Sequence, residues 1–259
     1  MLDYVGHRAI FEGFAAHLWQ PNSARMIWMT PPSWPSMEWN FLSWDYDTQS
    51  SFYGTQKACE PIHAQLNLTD GSVDLINLGG AQSFNVRTLV VSLDGKILSD
   101  HTNQVQAAAD DRTSVAKPDL ATLAAEHTIF VRLAVSDAAG APVSDNFYWW
   151  AADEASYREL NSLAPATLTA SATSAVTSGE RAVTMRVKNT GPAAALMIKL
   201  TLEDAATGQR ILPAYYTDNY VSLLPGEERT VNVEFPAGEE KLEIGLRGWN
   251  LATQTVAVN

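Results

Sequence analysis

The chain has 259 residues, a formal net charge of -12 at pH 7 and a sequence pI near 4.7. This length suffices for two domains that bury most of their apolar surface. The acidic balance argues against nucleic-acid binding and against an anionic membrane surface, because both require clustered Lys and Arg. No apolar run approaches the roughly twenty residues that span a bilayer. The single cysteine, Cys59, excludes an intrachain disulfide and a multi-cysteine metal site.

The first segment of the chain combines helical and strand patterns. Apolar residues at helical spacing predict an amphipathic helix over residues 4–19, stopped by Pro21. The pattern then predicts a buried strand at Arg25–Met29 and a second helix from Ser50 or Ser51 to Glu60. A lone parallel strand cannot make a sheet, because its ladder partners must come from elsewhere. Residues 1–61 are therefore predicted to be the end of an α/β domain whose other strands lie outside them.

A tryptophan-rich loop follows the predicted strand. Trp28 and Met29 stand at the strand end, and Trp34 and Trp39 stand on a loop that also holds three prolines. Indole faces stack on the C–H faces of a pyranose, and a proline-stiffened loop loses little entropy when it binds. The pattern favours a sugar-binding cleft, and a buried tryptophan-rich corner of the core is the alternative.

The pattern becomes β-rich after Pro61. Short alternating strands separated by Gly and Asp turns predict two antiparallel sandwiches, over residues 62–160 and 161–259. The tripeptides Asn77-x-Gly79 and Asn189-x-Gly191 occupy similar places after an early strand of each half. They predict a weak repeat of one sandwich type, since Asn-x-Gly is also common in turns by chance.

The remaining polar residues suggest no catalytic or metal site. Glu12 and Glu60 lie on the predicted helices and are expected to be surface or capping groups, while Asp45 and Asp47 are expected to form a turn. The histidines lack metal-ligand spacing. The sequence shows no Ser-His-Asp arrangement, Gly-rich phosphate loop or zinc motif. No cofactor and no metal are expected.

Three groups of motifs stand in order along the chain. They are Tyr4–Phe14, Ile27-Trp-Met29, Trp34-Pro-Ser36, Trp39, Phe52-Tyr-Gly54, Lys57-Ala58 and Glu60-Pro61; Asn146-Phe-Tyr-Trp149, Tyr157 and Leu160-Asn-Ser-Leu163; and Pro213, Asp218-Asn-Tyr220 and Leu223-Leu-Pro-Gly-Glu227. In this order they resemble the family-2 glycoside hydrolases, and most closely their exo-β-D-glucosaminidase and β-mannosidase branch. The first group resembles the end of the catalytic barrel, the second the end of the next immunoglobulin-like domain, and the third the last immunoglobulin-like domain of exo-β-D-glucosaminidases.

This resemblance implies a mostly β fold, with two immunoglobulin-like β-sandwiches preceded by the last α/β segment of a TIM barrel. The domains would be residues 1–61, 62–160 and 161–259. Family members are retaining glycosidases whose two carboxyl groups lie about 5 Å apart, on the fourth and seventh barrel strands. The resemblance places this chain after the seventh strand, so it implies no catalytic residue here. Barrel sites lie at the C-terminal ends of the strands, and the implied substrate-binding residues are Trp28, Met29, Trp34, Glu38 and Trp39.

The function predicted from the sequence is the C-terminal portion of a retaining, exo-acting β-glycosidase that is inactive as this chain alone. Its expected partners are a β-linked oligosaccharide, the upstream portion of the barrel, and a second copy of the chain through residues 1–61. The resemblance implies a secreted or periplasmic parent, although the sequence leaves the compartment open. The alternatives are a stand-alone carbohydrate-binding or adhesion module, with Tyr215, Tyr216 and Tyr220 as candidate contacts, and a structural spacer.

Overall fold

A computed structural model describes residues 1–21, 24–27, 31–35, 40–177, 180–236, 238 and 241–259. The chain divides into two compact units. We call the part with residues 2–27 and 54–162 the first unit, and the part with residues 31–35, 40–53 and 163–259 the second unit. Antiparallel sheets dominate both units, which confirms the prediction of a mostly β chain. The barrel origin of residues 1–61 and the domain boundaries predicted above remain predictions.

The two predicted helices are present with shifted ends. Helix α1 spans Leu2–Ala15 and therefore ends four residues before the predicted limit. Trp19, which lies beyond it, has a left-handed backbone with φ 63°, a conformation that an α-helix does not contain. Helix α2 spans Ser50–Ala58 and ends shortly before Pro61. Proline disfavours helical geometry in the residue before it, which accounts for this end.

The prediction of a strand at Arg25–Met29 is wrong for the residues that the structure describes. Residues 24–27 have no regular secondary structure, and Met26 is 93% exposed. A strand requires a hydrogen-bonded neighbour, and no described strand pairs with these residues. Residues 28 and 29 lie outside the described part of the chain.

The first unit contains a sandwich of two antiparallel sheets. A short helix, α3 at Leu120–Ala124, and a 3₁₀ helix at Ser156–Ser162 accompany it. The strands are β1 Ile62–Leu66, β2 Val73–Asn77, β3 Gln82–Ser92, β4 Ile97–Ala107, β5 Asp111–Ala116, β6 Ile129–Asp137 and β7 Pro142–Trp150. One sheet has the order β1-β2-β5 and the other has the order β4-β3-β6-β7.

The core of this sandwich lies between the two sheets. Leu66 and Leu75 from the three-stranded sheet belong to one buried cluster with Phe84 and Val131 from the other sheet. The outer face of the three-stranded sheet is buried as well, because every residue of β2 is buried. Helix α1 lies against this outer face, where Gln65 Nε2 donates a hydrogen bond of 2.9 Å to the backbone oxygen of Glu12.

The second unit contains another antiparallel sandwich. Its strands are β8 Leu168–Thr177, β9 Glu180–Asn189, β10 Ala195–Asp204, β11 Tyr215–Tyr216, β12 Val221–Leu223, β13 Glu228–Phe235, β14 Leu242–Gly248 and β15 Leu251–Ala257. One sheet has the order β12-β10-β14-β15 and the other has the order β11-β13-β9-β8.

Strict alternation builds the core of the second sandwich. Val183, Met185 and Val187 on β9 are fully buried, and β13 places Val231 opposite Met185 and Val233 opposite Val183. Complete burial of one such side chain stabilises a fold by about 1.5 to 3 kcal/mol. The alternation predicted from the sequence for this strand pair is thus present in the structure.

The Asn-x-Gly tripeptides have the same geometry in both sandwiches. The side-chain oxygen of Asn77 accepts from Gly79 N at 3.0 Å, and that of Asn189 accepts from Gly191 N at 3.1 Å. Each amide nitrogen donates to two backbone carbonyls, at 3.0 and 2.7 Å for Asn77 and at 2.8 and 3.0 Å for Asn189. Both asparagines are fully buried. The predicted repeat therefore corresponds to a shared loop anchor.

Candidate functional site

The described part of the predicted sugar wall is Trp34 and its proline neighbours. Trp34 is 66% exposed, so its indole face is available to solvent and is not part of a core corner in this chain. The other four predicted contacts lie outside the described residues; they are Trp28, Met29, Glu38 and Trp39. Their roles remain predictions.

The segment that follows this wall, residues 40–49, is held by an ion-pair network within the second unit. Asp47 Oδ2 accepts from Lys199 Nζ at 2.9 Å and from Arg210 NH1 at 2.8 Å, while Arg210 NH2 lies 2.6 Å from Asp45 Oδ2. Ser43 also donates to the Asp45 carboxylate. The two acids form a turn, as predicted, and in addition attach that turn to strand β10 and to the loop after it. We call these four charged residues the surface network.

Aromatic packing supports the same segment. Tyr53 is 2% exposed, and its ring centroid lies 5.2 Å from that of Phe52 and 5.9 Å from that of Tyr220. Burial, with a smaller contribution from Tyr216, raises the pKa of Tyr53 above its usual range, so the phenol stays neutral. Residues 40–53 are thus fixed to the second sandwich by both ion pairs and apolar contacts.

A second polar network lies in the first unit, beneath helix α1. The Oε1 atom of Glu12 accepts from Tyr148 at 2.5 Å and from Asn146 at 2.9 Å, and it lies 3.0 Å from His63 Nε2. Arg8 donates to Asn146 Oδ1 at 2.9 Å and to the backbone oxygen of Phe147 at 2.6 Å. We call Arg8, Glu12, His63, Asn146 and Tyr148 the buried network, because each is at most 4% exposed.

Charge compensation keeps the buried network ionised. Burial alone would raise the pKa of Glu12, but the Arg8 guanidinium and the His63 hydrogen bond outweigh it and lower that pKa below its usual value. Burial alone would lower the pKa of His63, but the hydrogen bond with Glu12 outweighs it and raises that pKa. The Arg8 guanidinium carbon also lies 3.9 Å from the centroid of the Tyr148 ring. The carboxylate of Glu12 is fully engaged by these partners and therefore holds the helix in place.

The expectation for Glu12 as a surface or capping group is wrong. Glu12 is 4% exposed. Glu60, for which the same role was expected, is half-buried, and its carboxylate accepts a hydrogen bond from Ser144 at 2.6 Å. Arg8 and Glu12 are four residues apart on one helix face, and Asn146 and Tyr148 alternate on one strand face. These spacings were visible in the sequence, but only the fold shows that the two faces meet.

The described residues contain no group of three or more His, Cys, Asp or Glu that could hold a metal ion. Among them, no helix combines the length and apolar character needed to cross a membrane. A cleft of about 470 Å³ lies in the second unit, on the outer side of the β10-β14-β15 sheet, and Lys199, Glu203, Gly245 and Arg247 contribute to its lining.

The three tyrosines that could have formed a binding face on the second sandwich have different surroundings. Tyr215 is 64% exposed, whereas Tyr216 is 9% exposed and its hydroxyl accepts from Leu202 N at 2.7 Å. Tyr220 is half-buried, and its ring lies 5.6 Å from Lys199 Nζ. Only Tyr215 of the three is free to meet a ligand.

Two family models match the chain. The model described as the exo-beta-D-glucosaminidase Ig-fold domain matches residues 146–251. The model described as the mannosidase Ig/CBM-like domain matches residues 78–152. Immunoglobulin-like domains in this part of the chain are therefore confirmed.

Curated relatives cover nearly all of the chain. An exo-beta-D-glucosaminidase of Streptomyces avermitilis is 30% identical over 99% of this chain and 32% of its own length. A mannosylglycoprotein endo-beta-mannosidase of Lilium longiflorum is 23% identical over 100% of this chain and 34% of its own length. The chain thus spans about a third of the length of these relatives.

A solved structure agrees with these relatives. The exo-chitosanase of Amycolatopsis orientalis superposes with a TM-score of 0.88 at 27% identity, over 98% of this chain and 33% of that protein. A β-D-mannosidase from Dictyoglomus thermophilum, at 17% identity and a TM-score of 0.63, shares the fold. The resemblance noted in the sequence motifs is confirmed by these matches.

Proposed function

We propose that this protein is the C-terminal portion of a retaining, exo-acting β-glycosidase. The premise is that the chain is related over nearly its whole length to the exo-β-D-glucosaminidases, in the glucosaminidase and mannosidase branch of the family-2 glycoside hydrolases. Its two sandwiches are accessory domains, and its tryptophan loop forms part of the wall of the sugar pocket. The catalytic carboxylates come from a portion that precedes this chain in the whole enzyme.

The observation that carries this proposal is the extent of the similarity. Relatives named exo-beta-D-glucosaminidase align with 98% or more of this chain, while the chain accounts for 27% to 32% of each. An isolated carbohydrate-binding or adhesion module would be expected to match single domains embedded in unrelated proteins. The continuous match favours one enzyme family over that alternative.

The proposed pocket wall consists of Trp28, Met29, Trp34, Glu38 and Trp39. The 66% exposure of Trp34 supports this role, because a stacking platform must present its face to the sugar. Glu38 would accept a hydrogen bond from a sugar hydroxyl or amine. The substrate is a β-linked oligosaccharide.

The second sandwich would hold this wall in position. The surface network and the Tyr53 cluster attach residues 40–53 to strand β10 and to Tyr220. Since residues 40–53 directly follow the loop, restricting them limits the positions that the loop can adopt. A positioned loop lowers the entropy lost when a sugar stacks on it.

The experiment compares the chain alone with the chain combined with the upstream portion of a homologous enzyme, on aryl β-glycosides and chitosan oligomers. We expect no turnover from the chain alone and turnover from the assembly. Trp34→Ala should lower kcat/KM of the assembly about fivefold, since one lost stacking contact is worth about 1 kcal/mol. The matched control is Trp44→Ala, which removes an indole of similar exposure, 51%, from the same unit.

Turnover by the chain alone, or an assembly without activity, would contradict the proposal.

The same samples test what covers the exposed apolar side chains of the first unit, where Leu2 is 89% and Met26 is 93% exposed. We propose that the upstream portion covers these side chains, and that without it the chain self-associates through residues 1–61. Light scattering would then show larger particles for the chain alone than for the assembly at equal concentration.

A further inference from the structure

The cleft of about 470 Å³ on the second unit has the size of a small-molecule site. Its floor is the outward face of the β10-β14-β15 sheet, where Lys199, Thr201 and Glu203 alternate along β10. On the neighbouring strand β14, which pairs with β10, Gly245 lies opposite Thr201 and Arg247 lies opposite Lys199. The hydroxyl of Thr255 belongs to the third strand, next to Gly245. The cleft therefore presents hydroxyl and charged groups on rigid strands.

Glu203 lies flat on this floor because residue 245 is glycine. A Cβ at position 245 would meet the two carboxylate oxygens of Glu203 at 2.9 and 3.0 Å, which is closer than such atoms approach. Any other residue there would force the carboxylate to shift from its present position. The absent side chain thus creates the space that the carboxylate occupies.

The carboxylate of Glu203 lacks a cationic partner. It is half-buried, and it makes no salt bridge with any residue that the structure describes, although Arg210 lies nearby and pairs with Asp45 and Asp47. Burial and the facing carboxylate of Glu243 raise its pKa, against the weaker attraction of Arg247 and Arg210. A cation placed beside Glu203 would relieve this unfavourable environment.

The opposite end of the cleft has the reverse charge. Lys199 and Arg247 are directly opposite each other across the strand pair, and Asp47 compensates Lys199 at 2.9 Å. The cleft thus has the Glu203 carboxylate at one end and Arg247 at the other, with threonine hydroxyls between them. Arg210 also lines the cleft on the Glu203 side, but its guanidinium pairs with Asp45 and Asp47. A complementary ligand carries a positive group at one end and hydrogen-bonding oxygens along the rest.

We propose that this cleft is an accessory subsite for an amino-sugar unit of a β-linked oligosaccharide, with the sugar ammonium on Glu203 and ring hydroxyls on Arg247 and the neighbouring threonines. The choice of an amino sugar over another polyhydroxylated amine rests on the proposed function. The subsite itself rests on the unpaired carboxylate, the glycine beneath it and the polarity of the floor. It would hold a remote part of the polymer without taking part in bond cleavage.

The test measures binding of glucosamine oligomers to the chain by titration calorimetry, at about 0.15 M ionic strength to suppress non-specific attraction by the acidic surface. We expect saturable binding that Glu203→Gln weakens about tenfold or more. Gly245→Ala should also weaken binding, by less and with no change in charge, since the added Cβ forces the carboxylate to shift. The control, Glu234→Gln, removes an exposed charge from the other sheet of the same sandwich and should leave the affinity within about twofold.

N-acetylated oligomers of the same length should bind about tenfold more weakly or worse, because their nitrogen carries no charge. Thermal unfolding confirms that each variant is folded. Equal affinity for both oligomers, an unchanged affinity in folded Glu203→Gln, or the absence of saturable binding would overturn the subsite. These readouts use the chain alone, whereas the proposed function is judged by turnover of the assembly, so one can fail while the other stands.

Discussion

The buried network of the first unit and the surface network of the second unit fasten an N-terminal segment to a sandwich in different ways. In the buried network, Arg8 and Glu12 are 3% and 4% exposed and are surrounded by hydrogen-bonding partners. In the surface network, the Arg210 side chain is 43% exposed while its partner Asp47 is 15% exposed. Both networks pair arginine with a carboxylate, yet only in the buried network is the arginine removed from water.

This difference in burial decides what each network contributes. A buried charge that loses its partner destabilises a protein strongly, because water cannot solvate it. An exposed pair contributes little, because solvent and salt screen it. The buried network therefore determines whether helix α1 docks at all, while the surface network restricts the loop that precedes the second sandwich. The predictions below test that distinction.

The largest effect is expected from Glu12→Ala. It leaves Arg8 charged and buried, and it removes the acceptor shared by His63, Asn146 and Tyr148. We expect a loss of about 3 to 5 kcal/mol of unfolding free energy for the first unit, measured by urea unfolding and by hydrogen exchange on α1. The control, Glu154→Ala, removes an exposed acid from the same unit. Similar losses in both variants would show that the network is not structural.

A smaller effect is expected from pH, through His63. Its pKa is raised above 6.5, since the hydrogen bond with Glu12 and the Glu60 carboxylate at 3.7 Å outweigh burial, which alone would lower it. Its stabilisation is therefore complete below about pH 6.5 and is lost as the pH rises through the folded-state pKa. The pKa of Glu12 is lowered, so its contribution is present above about pH 4.5 and is lost as the pH falls through its folded-state pKa.

The measurement is the unfolding free energy of the first unit between about pH 2.5 and pH 9, a range that includes both the acid and the alkaline loss. The wild-type chain should lose stability on the alkaline side of this range, and His63→Gln should remove that alkaline loss while keeping the acid one. The groups that face His63 are Glu12 and Glu60, with Arg8, Asn146 and Tyr148 behind them. An alkaline slope that survives in His63→Gln would assign the titration to another group.

The smallest effect is expected from Arg210→Ala. Its two ion pairs are partly solvated, so we expect a loss of about 0.5 to 1 kcal/mol, and high salt should reduce the difference from the wild-type chain. Hydrogen exchange of residues 40–49 should nevertheless increase, because Asp45 and Asp47 lose their shared partner. A loss as large as that of Glu12→Ala would show that exposure does not separate the two networks.

Local patterns predicted most of the elements. The alternation of Val183, Met185 and Val187 indicated a buried strand face. The Asn-x-Gly tripeptides indicated a repeat, and in both sandwiches the buried asparagine makes the same hydrogen bond to the glycine two residues later. The strand at Arg25–Met29 was predicted from apolar composition, which does not show whether a pairing strand is present. Of the predicted site, only Trp34 falls among the described residues, and its exposure fits a stacking role.

The sequence by itself determined the β character of most of the chain, its two sandwiches and its family resemblance, because alternation, turn residues and ordered motifs are local properties. Only the tertiary structure decided that Glu12 is buried, that Asp47 meets Lys199, and that Glu203 lies unpaired over Gly245. The first two facts depend on faces that meet across more than a hundred residues of chain, and the third depends on the pairing of β10 with β14. The burial of a charge, and so its energetic role, follows from that long-range packing.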